Sequence, residues 1–312
     1  MSAALEFLGN TEWRDAALEP ITGDASPRRY FRLRKAKATA ILMDASRVRE
    51  TVAPFAEIDA HLLRLGFSAP KIFARDVEAG YLLLEDFGDE TFPRLLENHF
   101  DPEEMFAMAT DVLAALHQRP GAAPDHLRVY TPQQMLADAV LFLDVHEISG
   151  GGEKEFAKAW LEVLPLAHEV PASLLLRDYH VANLMRLPGR KGIRRVGLLD
   201  FQDAYRGPVT YDLVSLLEDA RRDLPPGLKD KMISRYFSQF SGSVDLETFQ
   251  TSLTILAALR HTRVLAVFEK LNREGKSDYQ RLHSPRVKRL LHQALRHPKL
   301  AALKNWFANY AT

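Results

Sequence analysis

Between Arg29 and Phe87 the polar and apolar positions come in short runs with short breaks. Arg29–Arg34 and Ala38–Asp44 read as paired strands on either side of a basic connection. Phe55, Ile58, Leu62 and Leu65 recur at helical spacing and predict one helix over Pro54–Leu65. Ala69–Arg75 and Tyr81–Phe87 return to strand character, with Glu78-Ala79-Gly80 as the turn. After Gly88 the period lengthens to that of amphipathic helices. Asp101-Pro102-Glu103-Glu104 is a helix start, with a capping Asp, Pro at the first helical position and acids at the positive dipole end. Met105, Ala109, Val112, Leu113 and Leu116 form the stripe that follows. Thr131-Pro132-Gln133-Gln134 reads as a second start, and Ser284-Pro285 as another before Val287, Leu290, Leu291 and Leu295. The pattern predicts an α+β chain: a small sheet-plus-helix lobe over residues 1–87 and a mainly helical lobe over 88–312.

Within the helical half sits one block of a different kind, Leu174–Phe201. Pro188-Gly189 separates two short strands there, Asn183–Leu187 and Arg195–Leu199. Pairing them as a hairpin brings Asn183 and Asp200 to one edge. The block holds Arg177-Asp178-Tyr179-His180-Val181-Ala182-Asn183 and then Leu198-Leu199-Asp200-Phe201-Gln202. Phosphoryl transfer asks for one carboxylate to orient and deprotonate the attacking hydroxyl, and for oxygen ligands that hold magnesium on the phosphates. Asp178 fits the first requirement, Asn183 and Asp200 the second. Four residues lie between Asp178 and Asn183, as they do between the base and the metal-binding Asn of a kinase catalytic loop.

These residues resemble the aminoglycoside phosphotransferase and choline-kinase-like branch of the protein-kinase fold, whose catalytic motif usually reads His-Gly-Asp-x-His-x-x-Asn. Asp178, His180 and Asn183 keep it, while Leu176-Arg177 stands where His-Gly is usual. Gly23 through Tyr30, Ile41 through Ala45, Leu199 through Ala204 and the tail from His283 to Phe307 are similar to the bacterial cell-wall sugar kinases. That resemblance implies a protein-kinase-like fold of two lobes, with a small antiparallel-sheet N-lobe and a mainly helical C-lobe. It implies ATP and Mg2+ as cofactors, and an acceptor that is N-acetylmuramate or N-acetylglucosamine, phosphorylated at the anomeric hydroxyl in peptidoglycan recycling. Another small alcohol, such as an aminoglycoside, choline or homoserine, is the alternative acceptor. A catalytically weak ATP-binding regulatory module is the alternative of another kind.

On this reading Asp178 is the base and Asn183 and Asp200 bind magnesium. Ser26, Arg28, Arg32, Glu85 and Phe87 are the candidate nucleotide residues, and His180, Asp203 and Arg177 the candidate sugar contacts. Met43 stands where kinases place the phosphate-binding Lys, and the phosphate loop has one glycine, Gly23. A cation must then come from elsewhere; Arg28, Arg29 and Arg32 are the nearest in sequence, and Arg28 and Arg32 share a strand face while Arg29 takes the other. Arg206-Gly207-Pro208 follows Asp200 too soon for a long activation segment, which favours a small-molecule acceptor over a protein.

The 41 basic and 41 acidic residues cancel, so no nucleic-acid partner is expected. The chain has no cysteine, which excludes disulfides, thiolate zinc and Cys nucleophiles. No apolar run is long enough to span a bilayer and Met1–Asp15 lacks a signal-like apolar core, so the expectation is a cytoplasmic enzyme without a membrane partner.

Overall fold

The computed structural model describes residues 2–21, 27–149, 151–240 and 242–311. They form two compact units, one of Met1–Asp101 with Val181–Ala204 and one of Pro102–His180 with Tyr205–Thr312.

The first unit is built on a five-stranded antiparallel sheet in the order β1-β2-β3-β5-β4. Its strands are β1 (Ala17–Ile21), β2 (Arg29–Lys35), β3 (Ala38–Asp44), β4 (Ile72–Asp76) and β5 (Tyr81–Glu85). Helix α1 (Ser2–Gly9) and strand β1 were not read from the pattern. Helix α1 and the turn after it cover one face: Leu8 and Trp13 pack with Leu33, Ala40, Leu42, Tyr81 and Leu83, which alternate along β2, β3 and β5. Met43, the next residue along β3, takes the opposite face and is fully buried, so its side chain contributes packing. Helix α2 (Val52–Arg64) buries Phe55, Ile58 and Leu62, and Phe55 stacks on Phe201 with ring centroids 4.8 Å apart.

Helix α3 (Phe92–Glu97) follows, capped by Thr91, whose side chain accepts from the Arg94 N–H. The expected hairpin is present over Leu184–Arg186 and Val196–Leu198, with Leu184 opposite Leu198. It belongs with the sheet unit because Ser68 bridges Gly197, Thr91 bridges Met185 and the Leu198 N–H donates to the Ser68 carbonyl at 2.8 Å. Gly197 is required here: a Cβ would stand 2.7 Å from the Phe87 ring.

Asp59 on α2 is buried, and one carboxyl oxygen has no hydrogen-bond partner. Burial, reinforced by the Glu85 charge, pushes its carboxyl up to about 7. The folded state therefore binds a proton that the unfolded chain, with an ordinary Asp near 3.8, releases. This contribution is full below about pH 4 and is lost as pH rises through 7. Asp59→Asn should raise stability at pH 8 by about 1–4 kcal/mol and do little at pH 4. Urea unfolding of both proteins at the two pH values checks it; an equal effect at both would refute the buried-carboxylate penalty.

The second unit is helical. It comprises α4 (Pro102–His117), α5 (Pro132–His146), α6 (Gly151–Val163), α7 (Thr210–Leu217), α8 (Leu228–Ser238), α9 (Leu246–Arg273), α10 (Ser277–Ala294) and α11 (Ala301–Tyr310). The predicted Thr131 cap is made, its Oγ1 accepting from the Gln134 N–H at 3.2 Å. Helix α9 is the spine, packed on α5, α7 and α10 and burying Phe249, Leu256, Ala258 and Leu259. The expectation that Ser284-Pro285 starts a helix is corrected: both lie inside α10, which begins at Ser277. Pro285 removes one N–H from the ladder, and burial of Val287 and Leu291 keeps the helix continuous through it. A two-stranded ladder, Ala172–Leu175 with Tyr205–Pro208, delivers the chain to the catalytic block. Among the described residues, no helix is long and apolar enough to cross a membrane.

Candidate active site

In the sheet unit, Asn183 and Asp200 are set side by side. The Leu199 N–H donates to the Asn183 carbonyl at 3.0 Å, extending the hairpin by one rung and setting Asn183 beside Asp200. Asn183 Nδ2 then lies 3.5 Å from Asp200 Oδ2. Asp200 itself holds φ at +61°, a conformation costly for a residue with a side chain and found where the surroundings enforce it. Arg28 reaches Asp200 from the start of β2, with Nη1 donating to Asp200 Oδ1 at 3.0 Å and to Gln202 Oε1 at 2.8 Å. Gln202 Nε2 bridges onward, 3.2 Å from both Asp200 Oδ1 and Asp203 Oδ2.

Arg28, Asn183, Asp200 and Asp203 are thus brought together, with Gln202 added to them. The donor set is two carboxylates and two amides, hard oxygens of the kind that hold magnesium alongside waters and phosphates. Among the described residues there is no cluster of three or more His, Cys, Asp or Glu suited to a fully protein-bound ion. A metal held mainly by phosphates and water needs none.

The other predicted cation is placed differently. Arg32 donates to Asp89 Oδ1 at 2.7 Å, to Asp86 Oδ1 at 3.1 Å and to the Gly88 carbonyl at 3.0 Å. Its charge is spent on the turn that follows β5. Glu85 pairs with Arg190, whose guanidinium also lies 5.1 Å above the Phe87 ring. The Glu85 and Phe87 side chains are engaged within the unit, and what they can offer a nucleotide is backbone. Ser26 and Gly23 lie outside the described residues.

The helical unit carries the catalytic loop. Hydrogen bonds from Asp178 N–H to the Leu176 carbonyl (2.8 Å) and from His180 N–H to the Asp178 carbonyl (3.0 Å) fold it tightly. Buried Asp212 at the first turn of α7 accepts from the Leu176 and Arg177 N–H groups at 2.6 and 3.0 Å. Burial pushes the Asp212 carboxyl up to about 7 against the pull of those donors. Tyr179 anchors the loop to α4 by donating to the Ala109 carbonyl at 2.8 Å. Burial lowers the His180 imidazole below its usual range, which favours the neutral ring.

Arg177, buried, holds φ at +66°. Its guanidinium donates to Asp138 Oδ2 at 2.6 Å and lies 4.8 Å from the centre of the Tyr130 ring and 5.0 Å from that of Tyr205. Tyr130, Asp138, Gln202 and Arg263 escaped the sequence reading. A basic residue where a glycine is usual, next to the proposed base, was the signal that could have led to Tyr130 and Asp138.

The model of the phosphotransferase enzyme family matches residues 17–247. The chain is 32% identical to an N-acetylmuramate/N-acetylglucosamine kinase of Caulobacter vibrioides, covering 99% of this chain and 96% of that protein. A protein of the same name from Pseudomonas aeruginosa is also 32% identical, over 94% of this chain and 88% of its own. Among solved structures, a choline/ethanolamine kinase family protein from Mesorhizobium loti aligns with TM-score 0.67 at 16% identity over 98% of both chains. An ADP-bound aminoglycoside phosphotransferase aligns with TM-score 0.63 at 14% identity, over 95% of this chain and 99% of that one. The fold is the α+β, protein-kinase-like one.

Proposed function

This chain belongs to the phosphotransferase enzyme family, and we propose that it transfers the γ-phosphoryl group of ATP to the anomeric hydroxyl of N-acetylmuramate or N-acetylglucosamine. The observation that carries the acceptor is the likeness, over nearly the whole chain, to kinases named for these two sugars. The chemistry rests on Asp178, Asn183 and Asp200, all present in a loop and hairpin of the right form.

Asp178 orients the sugar hydroxyl and accepts its proton as the bond to phosphorus forms. An anomeric hydroxyl is more acidic than an ordinary alcohol, so a carboxylate is an adequate acceptor. Magnesium, when bound, neutralises phosphate oxygens. Asp200 and Asn183 would hold it, with Asp203 and Gln202 orienting Asp200. Arg28 is the cation proposed for the phosphates in place of the Lys that Met43 replaces. Arg32 supports the turn after β5, from which Glu85 and Phe87 offer backbone groups to the nucleotide, and Ser26 joins from the phosphate loop. His180, Asp203 and Arg177 are proposed on the sugar side. On this reading residues 1–87 bind the nucleotide, 88–312 carry the catalytic loop with its magnesium residues and the acceptor site, and the enzyme works in the cytoplasm in peptidoglycan recycling.

The test is a product assay. Purified protein with magnesium-ATP and each sugar should give a sugar 1-phosphate, its phosphorus coupled to the C1 proton in phosphorus–proton NMR. Coupling to the C6 protons instead would overturn the anomeric assignment. No product from either sugar would overturn the acceptor.

A further inference from the structure

We propose that Arg263, seated beside Arg177 in the helical unit, is the specificity residue that takes a carboxylate on the acceptor and so separates the acidic sugar from the neutral one. The inference rests on the amino-sugar reading above. N-acetylmuramate is N-acetylglucosamine carrying a lactyl ether, so the charges of the two differ by one carboxylate, and a protein that tells them apart by charge needs a cation with capacity to spare.

Arg263 has that capacity. Asp138 Oδ2 accepts from Tyr130 Oη and from Arg177 Nη2, both at 2.6 Å, and those two bonds satisfy it. Arg263 Nε stands 3.7 Å from the same oxygen, too far for a hydrogen bond. That Nε is buried and has no acceptor. One carboxylate therefore faces two guanidiniums, with the nearer one holding it. The Arg263 guanidinium is thus held to Asp138 by one long ion pair, and a carboxylate reaching its exposed part would add a charge-assisted bond. The Arg263 side chain keeps 31% of its surface exposed, which leaves an approach from solvent.

The position suits an acceptor. Arg263 meets the same Asp138 oxygen that holds Arg177, the residue preceding the proposed base, so an anion docked on Arg263 lies beside the catalytic loop. The strain at Arg177 points the same way. A φ of +66° on a non-glycine residue costs roughly 1–3 kcal/mol and is retained where the surroundings over-determine it. Here those surroundings are Tyr130, Tyr205 and Asp138, and the result is that Asp138 Oδ2 accepts its hydrogen bonds from Tyr130 and Arg177 and meets Arg263 only as a longer ion pair.

The experiment is steady-state kinetics with both sugars and with ATP on wild type, Arg263→Gln and Arg263→Lys. Losing a charge-assisted contact should raise the N-acetylmuramate KM of Arg263→Gln roughly tenfold to hundredfold. Its N-acetylglucosamine KM, its ATP KM and kcat on both sugars should stay within about twofold, a split that loss of a merely structural contact would not give. Arg263→Lys, which keeps the charge and loses the fork, should fall between and remains informative if the Gln variant folds poorly. Equal losses on both sugars would overturn the inference, as would a rise confined to the ATP KM, which would place Arg263 on phosphate. A wild type that phosphorylates neither sugar overturns the acceptor reading and the inference with it, and that outcome is distinct from equal losses in the variants.

Discussion

Asp178→Asn should lower kcat about a hundredfold to ten-thousandfold while leaving the fold and nucleotide affinity in place. The substitution keeps volume and polarity and removes the ability to accept a proton. The loop should hold its shape, because what shapes it lies elsewhere: Asp212 on the Leu176 and Arg177 N–H groups, and Tyr179 on Ala109. Turnover, melting temperature and ATP affinity measured on the same preparation decide the matter. Activity within tenfold of wild type would mean that Asp178 is not the base. Loss of activity together with a fallen melting temperature would mean that it is structural.

Asp200→Ala should fail differently, at binding rather than at the chemical step. It removes the proposed magnesium ligand and also the carboxylate that Arg28 Nη1 meets at 3.0 Å. Magnesium-dependent ATP affinity should drop by at least about a hundredfold, since a partly buried charge partner and a metal oxygen go together. The variant should bind metal-free ATP about as well as wild type does, because Arg28, released from its partner, remains available to phosphate. Calorimetric titration with and without magnesium separates the two terms. An unchanged affinity for magnesium-ATP would remove Asp200 from the metal.

The parts of this protein that were legible in its sequence are those whose chemistry is local. The Asp178–Asn183 spacing, the Asp200-Phe201 pair and the Thr131 cap each sit within a few residues, and β3 was read at its observed limits, Ala38–Asp44. What escaped is non-local or atypical. Strand β1 contains Glu19 and Pro20 and is largely exposed as an edge strand, so it shows no alternation. Strand β4 begins at Ile72, not Ala69, because Pro70 cannot donate to a ladder.

Asp138 lies 39 residues before Arg177, and no periodicity connects them. The two candidate cations looked alike in sequence and differ in structure, because the decisive acceptors, Asp200 for Arg28 and Asp86 with Asp89 for Arg32, lie 172, 54 and 57 residues downstream.

The sheet unit is discontinuous, and this has a consequence for synthesis. Its last segment, Val181–Ala204, is separated from Asp101 by a long stretch of the helical unit. At about 5–20 residues per second a ribosome needs on the order of 10–40 s to reach residue 204. Until then Ser68 lacks its bridge to Gly197, Phe87 lacks the glycine against which it packs, and Phe55 lacks Phe201. The nascent N-terminal sheet therefore waits with an unfinished apolar surface while helices α4 to α6 are being made. Partial products ending near residue 101 are the species most exposed to chaperones and proteases.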